Sequence, residues 1–376
     1  MITMHNVLKR GRTVWDRGVL PEDEYVERVR LVREAMAQAG LDGLVTVGHT
    51  ARPGNFTYLS GSVPPLGWMG IVLGREAGPF LVSGGGSREV PFLRTQTWLI
   101  DDIRTSRSLF HGPAAVVVEA LGEFMPSGGR VGLVGAREDL TPVAHAELLD
   151  ALRDYDVVEG DALLGDLRAV KRPREQAAQR RSLEIARRAV DAGLEAWERG
   201  ASTASALIAT EKAARLGGCR DVRVLGNLDG EQLAPVEEPG DTRGDHLVVY
   251  VAVEHLGYWA QASGDSDAGS ANPAASAARA AVEAMTGAAG PAVAVGDLAA
   301  AAARELPGGE GDVAFSYGLG GGIGLDLSER PEVRPGASAT LRPGEVLALQ
   351  AFTVADGRLG GATETVRVDA EGVTLL

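Results

Sequence analysis

The eight residues HLVVYVAV at 246–253 are the strongest constraint in the chain. They form an apolar run of strand length. What precedes the run is helical. Residues 174–198 are predicted as one long helix, entered through Arg172-Pro173, where the proline sacrifices no hydrogen bond because first-turn N–H groups have no helical partner. A second helix is predicted over 203–215. Gly/Ala-rich helical segments follow at 271–286 and 296–305, and the remainder reads as strand and glycine loop.

The first part of the chain follows a different pattern. Residues 22–39 place Tyr25, Val26, Val29, Val32 and Met36 at helical spacing, and Gly40 stops the helix. Residues 43–48 read as a short buried strand and 70–83 as a hairpin turning at Glu76–Gly78. A strand at 131–135 and a helix at 144–154 come next. The change from short alternating elements to one long helix predicts an α+β chain of two domains, 1–162 and 163–376. A length of 376 residues suits two domains.

Composition narrows function by exclusion. With 37 Lys+Arg against 51 Asp+Glu the net charge is −14, so nothing would replace the counterions around phosphates and no nucleic-acid partner is expected. No apolar run reaches the ~18 residues of a membrane span. The opening residues lack the apolar core of a secretory signal. A lone cysteine, Cys219, rules out a disulfide framework and points to a cytoplasmic protein. It has no activating base nearby and reads as a buried structural thiol. The acidic stretch 237–241 reads as a solvated loop. There are six histidines, and none lies beyond His255.

Four stretches, in order, carry a family resemblance. They are AGLDGLV (39–45) with NFTYLSG (55–61), LRAVKRPRE (167–175), GDHLVVYVAVEHLGYWAQ (244–261), and GLGGGIGLDLSERP (318–331) with LRPGEVLALQA (341–351) and GGATETVRVDAEG (360–372). From about residue 22 onward the chain resembles the pita-bread family of prolidase, aminopeptidase P, methionine aminopeptidase and creatinase. The resemblance implies a creatinase/prolidase-like N-terminal domain over 1–162 and a pita-bread domain over 163–376. It also implies a homodimer, with the N-terminal domain of one subunit near the cavity of the other.

In that family two divalent metals are held by two Asp, one His and two Glu, and a shared water becomes hydroxide near neutral pH. The resemblance puts the first Asp position at Tyr250 and the second, eleven residues on, at Gln261. The GHGIG histidine falls at Gly321, and the two Glu positions fall at Gln350 and Thr363. Glu364 is one place off, which on a strand turns it to the opposite face. The histidine of the HExP motif falls at Ser328, ahead of Glu329 and Pro331, and the intermediate-binding histidine falls near Gln232 or Leu233. Neutral Tyr, Gln and Thr side chains cannot hold ions carrying four positive charges. No metal and no other cofactor is therefore expected. Glycine at 321 is expected to leave the cavity wider on that side.

Strand alternation from these positions selects what faces the old cavity. Tyr250 brings His246, Val248, Ala252 and Glu254; Gln261 brings Trp259 and Ser263; Gln350 brings Ala348 and Phe352. The candidate catalytic residues are Tyr250, Gln261, His255, Tyr317 and Glu329. The candidate substrate-binding residues are His246, Trp259, Gln350, Thr363 and Glu364. Each histidine and Glu329 has a plainer reading. His255 sits in a hairpin turn, His246 begins a strand, and Glu329 can satisfy loop N–H groups. The glycine loop 318–324 lacks the Lys-Ser/Thr of a phosphate loop and fits the GHGIG turn instead.

Two readings of function follow. One is a metal-independent enzyme acting on a small amino-acid-derived or amide substrate by C–N hydrolysis or related acid–base chemistry, in specialised metabolism (biosynthesis). Creatinase is the family's precedent for metal-free chemistry, but its own substrate-binding groups are missing here. The other is a catalytically inactive pseudo-peptidase that keeps the fold for ligand binding or interaction.

Overall fold

The computed structural model describes residues 16–64, 67–84, 86, 90–97, 99–106, 112–228, 231–236, 242–267 and 272–376. The opening segment 1–15 and the acidic stretch 237–241, both read above from sequence, lie outside these residues. The chain divides into two compact units, Met1–Arg168 and Ala169–Leu376.

The first unit runs α1 (Glu22–Gln38), β1 (Gly43–His49), α2 (Gly54–Ser60), β2 (Trp68–Gly74), β3 (Phe80–Ser83), α3 (Val90–Gln96), β4 (Ile103–Thr105), α4 (Ala114–Gly122), β5 (Arg130–Val134), α5 (Ala136–Asp139), α6 (Pro142–Ala151), β6 (Asp156–Glu159) and α7 (Asp161–Ala169). Its six strands form one mixed sheet in the order β4-β3-β2-β1-β5-β6. The unit ends later than residue 162 because α7 is anchored to it. Leu164 is buried, Asp161 accepts the Gly135 N–H at 2.6 Å, and Arg168 donates to Asn55 at 2.6 Å. Helix α1 departs from its expected apolar stripe. Val26 is 62% exposed, and Arg28 is buried instead. The Arg28 guanidinium is tolerated there because it pairs with Glu24 at 3.3 Å and stacks over Tyr25 and Tyr58.

The second unit runs α8 (Pro173–Glu198), α9 (Thr203–Leu216), β7 (Asp221–Gly226), β8 (Val248–His255), β9 (Tyr258–Asp265), α10 (Pro273–Ala288), α11 (Val295–Glu305), α12 (Ala314–Tyr317), β10 (Gly320–Gly322), β11 (Glu329–Glu332), β12 (Val346–Ala355), β13 (Arg358–Val368) and β14 (Val373–Leu375). Pro173 takes the first helical position of α8, and the Arg172 N–H donates to the Glu175 carboxylate at 2.9 Å. Asn272 caps α10 by accepting from the Ala274 N–H at 3.1 Å. Strand β7 is not among the expected elements, because Asp221 and Arg223 break up its apolar residues. Cys219 is buried just before it, and burial pushes its thiol up to about 11, which suits a structural role.

Two antiparallel sheets result, β7-β8-β9 and β11-β10-β12-β13-β14. Each has one face on a helix pair. Val249, Val251, Val253 and Ala262 pack with Ile185, Ala189 and Leu207 of α8 and α9. Leu347, Leu349, Ala351 and Val366 pack with Ala281, Met285 and Leu298 of α10 and α11. Burying each such aliphatic side chain is worth roughly 1.5–3 kcal/mol, which fixes which face is helix-side and which is left over.

The glycine run of β10 is a strand squeezed between β11 and β12. A Cβ on Gly320 would fall on the Ala348 carbonyl oxygen, and its φ of +94° is strained for any other residue. A Cβ on Gly321 would fall on the Pro331 carbonyl oxygen. The expected widening at Gly321 is therefore corrected: neighbouring backbone has closed into the space. Next to this strand, Lys171 Nζ pairs with Glu329 at 2.7 Å, both side chains being buried. Gly320→Ala is expected to lower stability by about 2–4 kcal/mol, from positive-φ strain and overpacking together. A denaturant melt against wild type measures it, and an unchanged midpoint would contradict the close packing described here.

Candidate active site

The faces turned away from the helices carry the candidate site. In β8–β9 the register pairs Ala252 with Gln261 and Tyr250 with Ser263. In β12–β13 it pairs Gln350 with Thr363. Tyr250, Gln261, Gln350 and Thr363 are thus brought together from four strands of two sheets. They form a bonded polar row. The Tyr250 hydroxyl donates to Gln261 Oε1 at 3.0 Å, and Gln261 Nε2 donates to Gln350 Oε1 at 3.0 Å. Gln350 Nε2 then donates to the carbonyls of Gly318 at 3.0 Å and Tyr317 at 3.3 Å. The Ser263 hydroxyl lies 3.2 Å from that of Thr363.

Apolar groups border this row on both sides. Ala252, Trp259, Ile323, Val346 and Ala348 form one cluster, and Val248, Phe352 and Leu359 form the other. The Phe352 ring meets Tyr250 edge-on at 5.8 Å and Tyr317 at 6.0 Å. The Tyr317 hydroxyl accepts the Leu233 N–H at 3.2 Å. This surrounding removes water from Tyr250, and burial pushes its phenol up to about 12, the Arg223 charge partly opposing the effect. Tyr250 is therefore a neutral donor throughout the physiological range.

Several expected residues stand apart from the row. His255 is at the far end of the hairpin, on the helix side of β8, with Nδ1 3.0 Å from the Gly218 carbonyl. His246 is buried, with Nε2 within hydrogen-bond distance of the Leu359 carbonyl (3.1 Å) and the Asn227 amide (3.2 Å). It pins the start of β8 to β13 rather than facing a ligand. Glu329 is taken up by Lys171 and by the Asp326 N–H, which donates at 3.2 Å, so its carboxylate organises the loop after β10. Glu364 pairs in register with Leu349, out of phase with Thr363, and accepts from Arg187 at 3.2 Å. Trp259 lies at the edge of the row, its side chain buried and its backbone N–H donating to the Gly324 carbonyl at 2.7 Å.

Two residues at the row were not expected from sequence. Asp265 continues the line of Gln261 and Ser263 on β9. It is buried, with one carboxylate oxygen taking the Asp267 N–H at 2.8 Å and the other, Oδ2, without a hydrogen bond among the described residues. Burial raises its pKa. Arg223 pairs in register with Ala252 and so shares the face of Tyr250 and Gln261. Alternation carried one step further along β9 would have found Asp265. Arg223 needed β7, which has no clean periodicity.

The donor set does not fit a dinuclear metal centre. The positions assigned to the ligands offer two amides, a phenol and a hydroxyl, with one carboxylate, Asp265, further along β9 on the same face, and at Gly321 there is no room for a side chain. Among the described residues, no three His, Cys, Asp or Glu side chains are grouped so that they could hold a metal ion. No helix among them is long and apolar enough to cross a membrane.

The fold has close counterparts of known structure. Dipeptidase PepE from Mycobacterium ulcerans superposes with a TM-score of 0.75 at 22% identity, covering 94% of this chain and 95% of its own. Prolidase from Thermococcus sibiricus gives 0.75 at 17% identity, covering 93% and 96%. X-Pro aminopeptidase from Thermotoga maritima gives 0.73 at 17%, also covering 93% and 96%. At these identities the likeness is one of fold. No curated protein matches the chain by sequence. The model of metallopeptidase family M24 matches residues 177–370, more than half of the chain and nearly all of the second unit. Together with the two helix-backed sheets of that unit, the match establishes that this chain belongs to metallopeptidase family M24.

Proposed function

We propose that the chain is a metal-independent enzyme that acts on the C–N bond of a small amide or amino-acid-derived substrate, working as a homodimer in the cytoplasm and serving a biosynthetic pathway. The observation that carries this reading is the bonded row Tyr250–Gln261–Gln350, three positions to which the resemblance assigns the family's metal ligands. Random loss of ligands gives unrelated side chains; here Tyr250, Gln261 and Gln350 bond to one another in sequence.

In this reading a substrate carbonyl lies against Tyr250. The neutral phenol shifts its hydrogen bond from Gln261 to the carbonyl oxygen and stabilises the charge that develops there. Gln261 and Gln350 hold the phenol and the substrate amide in place. Asp265, made more basic by burial, is the group of the row able to exchange a proton, and Ser263 and Thr363 lie between it and Tyr250 in the row. His255 and Glu364 take no part, and Glu329 positions the glycine strand through Lys171.

One observation favours a second reading, a non-catalytic binder. Every amide of the row is already hydrogen-bonded within it, which is also what a purely structural polar core requires.

The two readings separate on turnover. In chelator-treated buffer, wild type is expected to release amine from members of a panel of N-acyl amino acids and primary amides. Tyr250→Phe should lower kcat by at least about 100-fold. Turnover undiminished in both Tyr250→Phe and Gln261→Ala would contradict the assignment, and ligand binding without turnover would support the binder. The raised phenol gives an independent check. Tyr250 stabilises the fold as a neutral group, so its contribution is complete below the free-tyrosine value of about 10 and is lost as pH rises toward about 12. Ultraviolet titration of wild type minus Tyr250→Phe should show one phenol ionising near 12, and ionisation near 10 would contradict its burial.

A further inference from the structure

Arg223 stands at the border of the polar row and lacks the carboxylate partner that several other arginines of the second unit have. Arg220, three residues earlier, is paired with the buried Glu254. Arg358 pairs with Asp267, and Arg367 with Asp369. Arg223 has no carboxylate partner and no hydrogen bond among the described residues, in a chain whose acidic residues outnumber its basic ones by 51 to 37. It is exposed, yet it is held: its guanidinium lies over the Trp259 ring, 5.1 Å from the centroid. A cation–π contact of this kind fixes the plane of the guanidinium while leaving its charge and its N–H edge unspent.

Position adds to this. Across the three strands the register sets Arg223, Ala252 and Gln261 side by side. Leu225, Tyr250 and Ser263 form the adjacent line on one side, and Asp221, Glu254 and Trp259 the adjacent line on the other. On that face Arg223 therefore neighbours the short side chain of Ala252, with Leu225, Tyr250 and Glu254 at the adjoining positions and Gln261 and Trp259 one strand further. Its charge reaches the Tyr250 phenol, where it opposes the effect of burial. Every other polar group of the row is neutral except Asp265, at the opposite end.

We propose that Arg223, propped on Trp259, is the anchor for a carboxylate on the ligand of this site, so that the chain selects small anionic N-acyl compounds over their neutral counterparts. The proposal rests on the reading of the polar row as the ligand site. A planar guanidinium offers two parallel N–H groups, which match the two oxygens of a carboxylate. The ligand's amide then extends from Arg223 toward Gln261 and Tyr250, the direction in which the row runs.

N-acetylglycine and N-acetylglycinamide are matched probes, differing in one carboxylate against one carboxamide. Titrated calorimetrically against wild type, N-acetylglycine is expected to bind about tenfold or more tightly than the amide. Arg223→Gln should remove that preference while leaving affinity for the amide within about twofold. Arg223→Lys should restore only part of the preference, because a point charge lacks the planar fork. As Arg223 is exposed on an edge strand, these variants should melt like wild type. Equal affinity of wild type for the two probes, including failure of both to bind at ~10 mM, overturns the proposal. So does a preference that survives in Arg223→Gln. Tyr250→Phe separates this from the reading beneath it. Weaker binding of both probes with the carboxylate preference intact supports the two together. If Tyr250→Phe leaves both affinities unchanged while Arg223→Gln still abolishes the preference, the anchor stands and the polar row is not the ligand site.

Discussion

Two antiparallel pairings, β8 with β9 and β12 with β13, govern the second unit, because each turns alternate residues toward a pair of helices and the rest toward the candidate site. The valines of β8 and the leucines of β12 cannot leave their helices without exposing apolar surface worth several kcal/mol in total. Tyr250, Gln261, Gln350 and Thr363 are held on the other faces by that commitment. Their mutual hydrogen bonds follow from register, and a one-residue slip would break all of them at once. The site therefore inherits its precision from the core behind it.

The same scaffold explains why the row is neutral without being loose. The buried Gln261 amide and the half-buried Tyr250 phenol and Gln350 amide are costly unless paired, and each finds its partner within about 3 Å in the row or on the Gly318 carbonyl. Beside them the glycine strand β10 lies flush against β11 and β12, so no side chain can enter at Gly321. Lys171 and Glu329 brace the loop that follows it. The row is joined by hydrogen bonds between neutral groups, and Asp221, Arg223, Glu254 and Asp265 are the charged groups on that face of the β7–β8–β9 sheet.

Much of this was legible in the sequence. The long helix 173–198, the strand at Tyr250 and its return strand are announced by periodicity and by the glycine turn. The resemblance then supplies the pairing of distant strands, which no local pattern contains. Tyr250, Gln261, Gln350 and Thr363, far apart in the chain, lie together, and the register sets Glu364 out of phase with Thr363. Local sequence misleads where it is silent about partners. His246 and His255 look chemically available in one dimension, but their rings are bonded to the Leu359 and Gly218 carbonyls in three. Arg28 reads as solvent-facing until Glu24, Tyr25 and Tyr58 are seen around it. Arg223 was hidden because β7 is an edge strand whose alternation is broken by charge.

The central claim is that a hydrogen-bonded polar row stands where this family holds its ions. Metal analysis of full-length protein, purified without chelator and supplied with manganese, cobalt and zinc, tests it most directly. The account predicts far less than one tightly bound ion per subunit, with no change in melting temperature on adding metal. About two ions per subunit, lost together with stability on chelation, would contradict it.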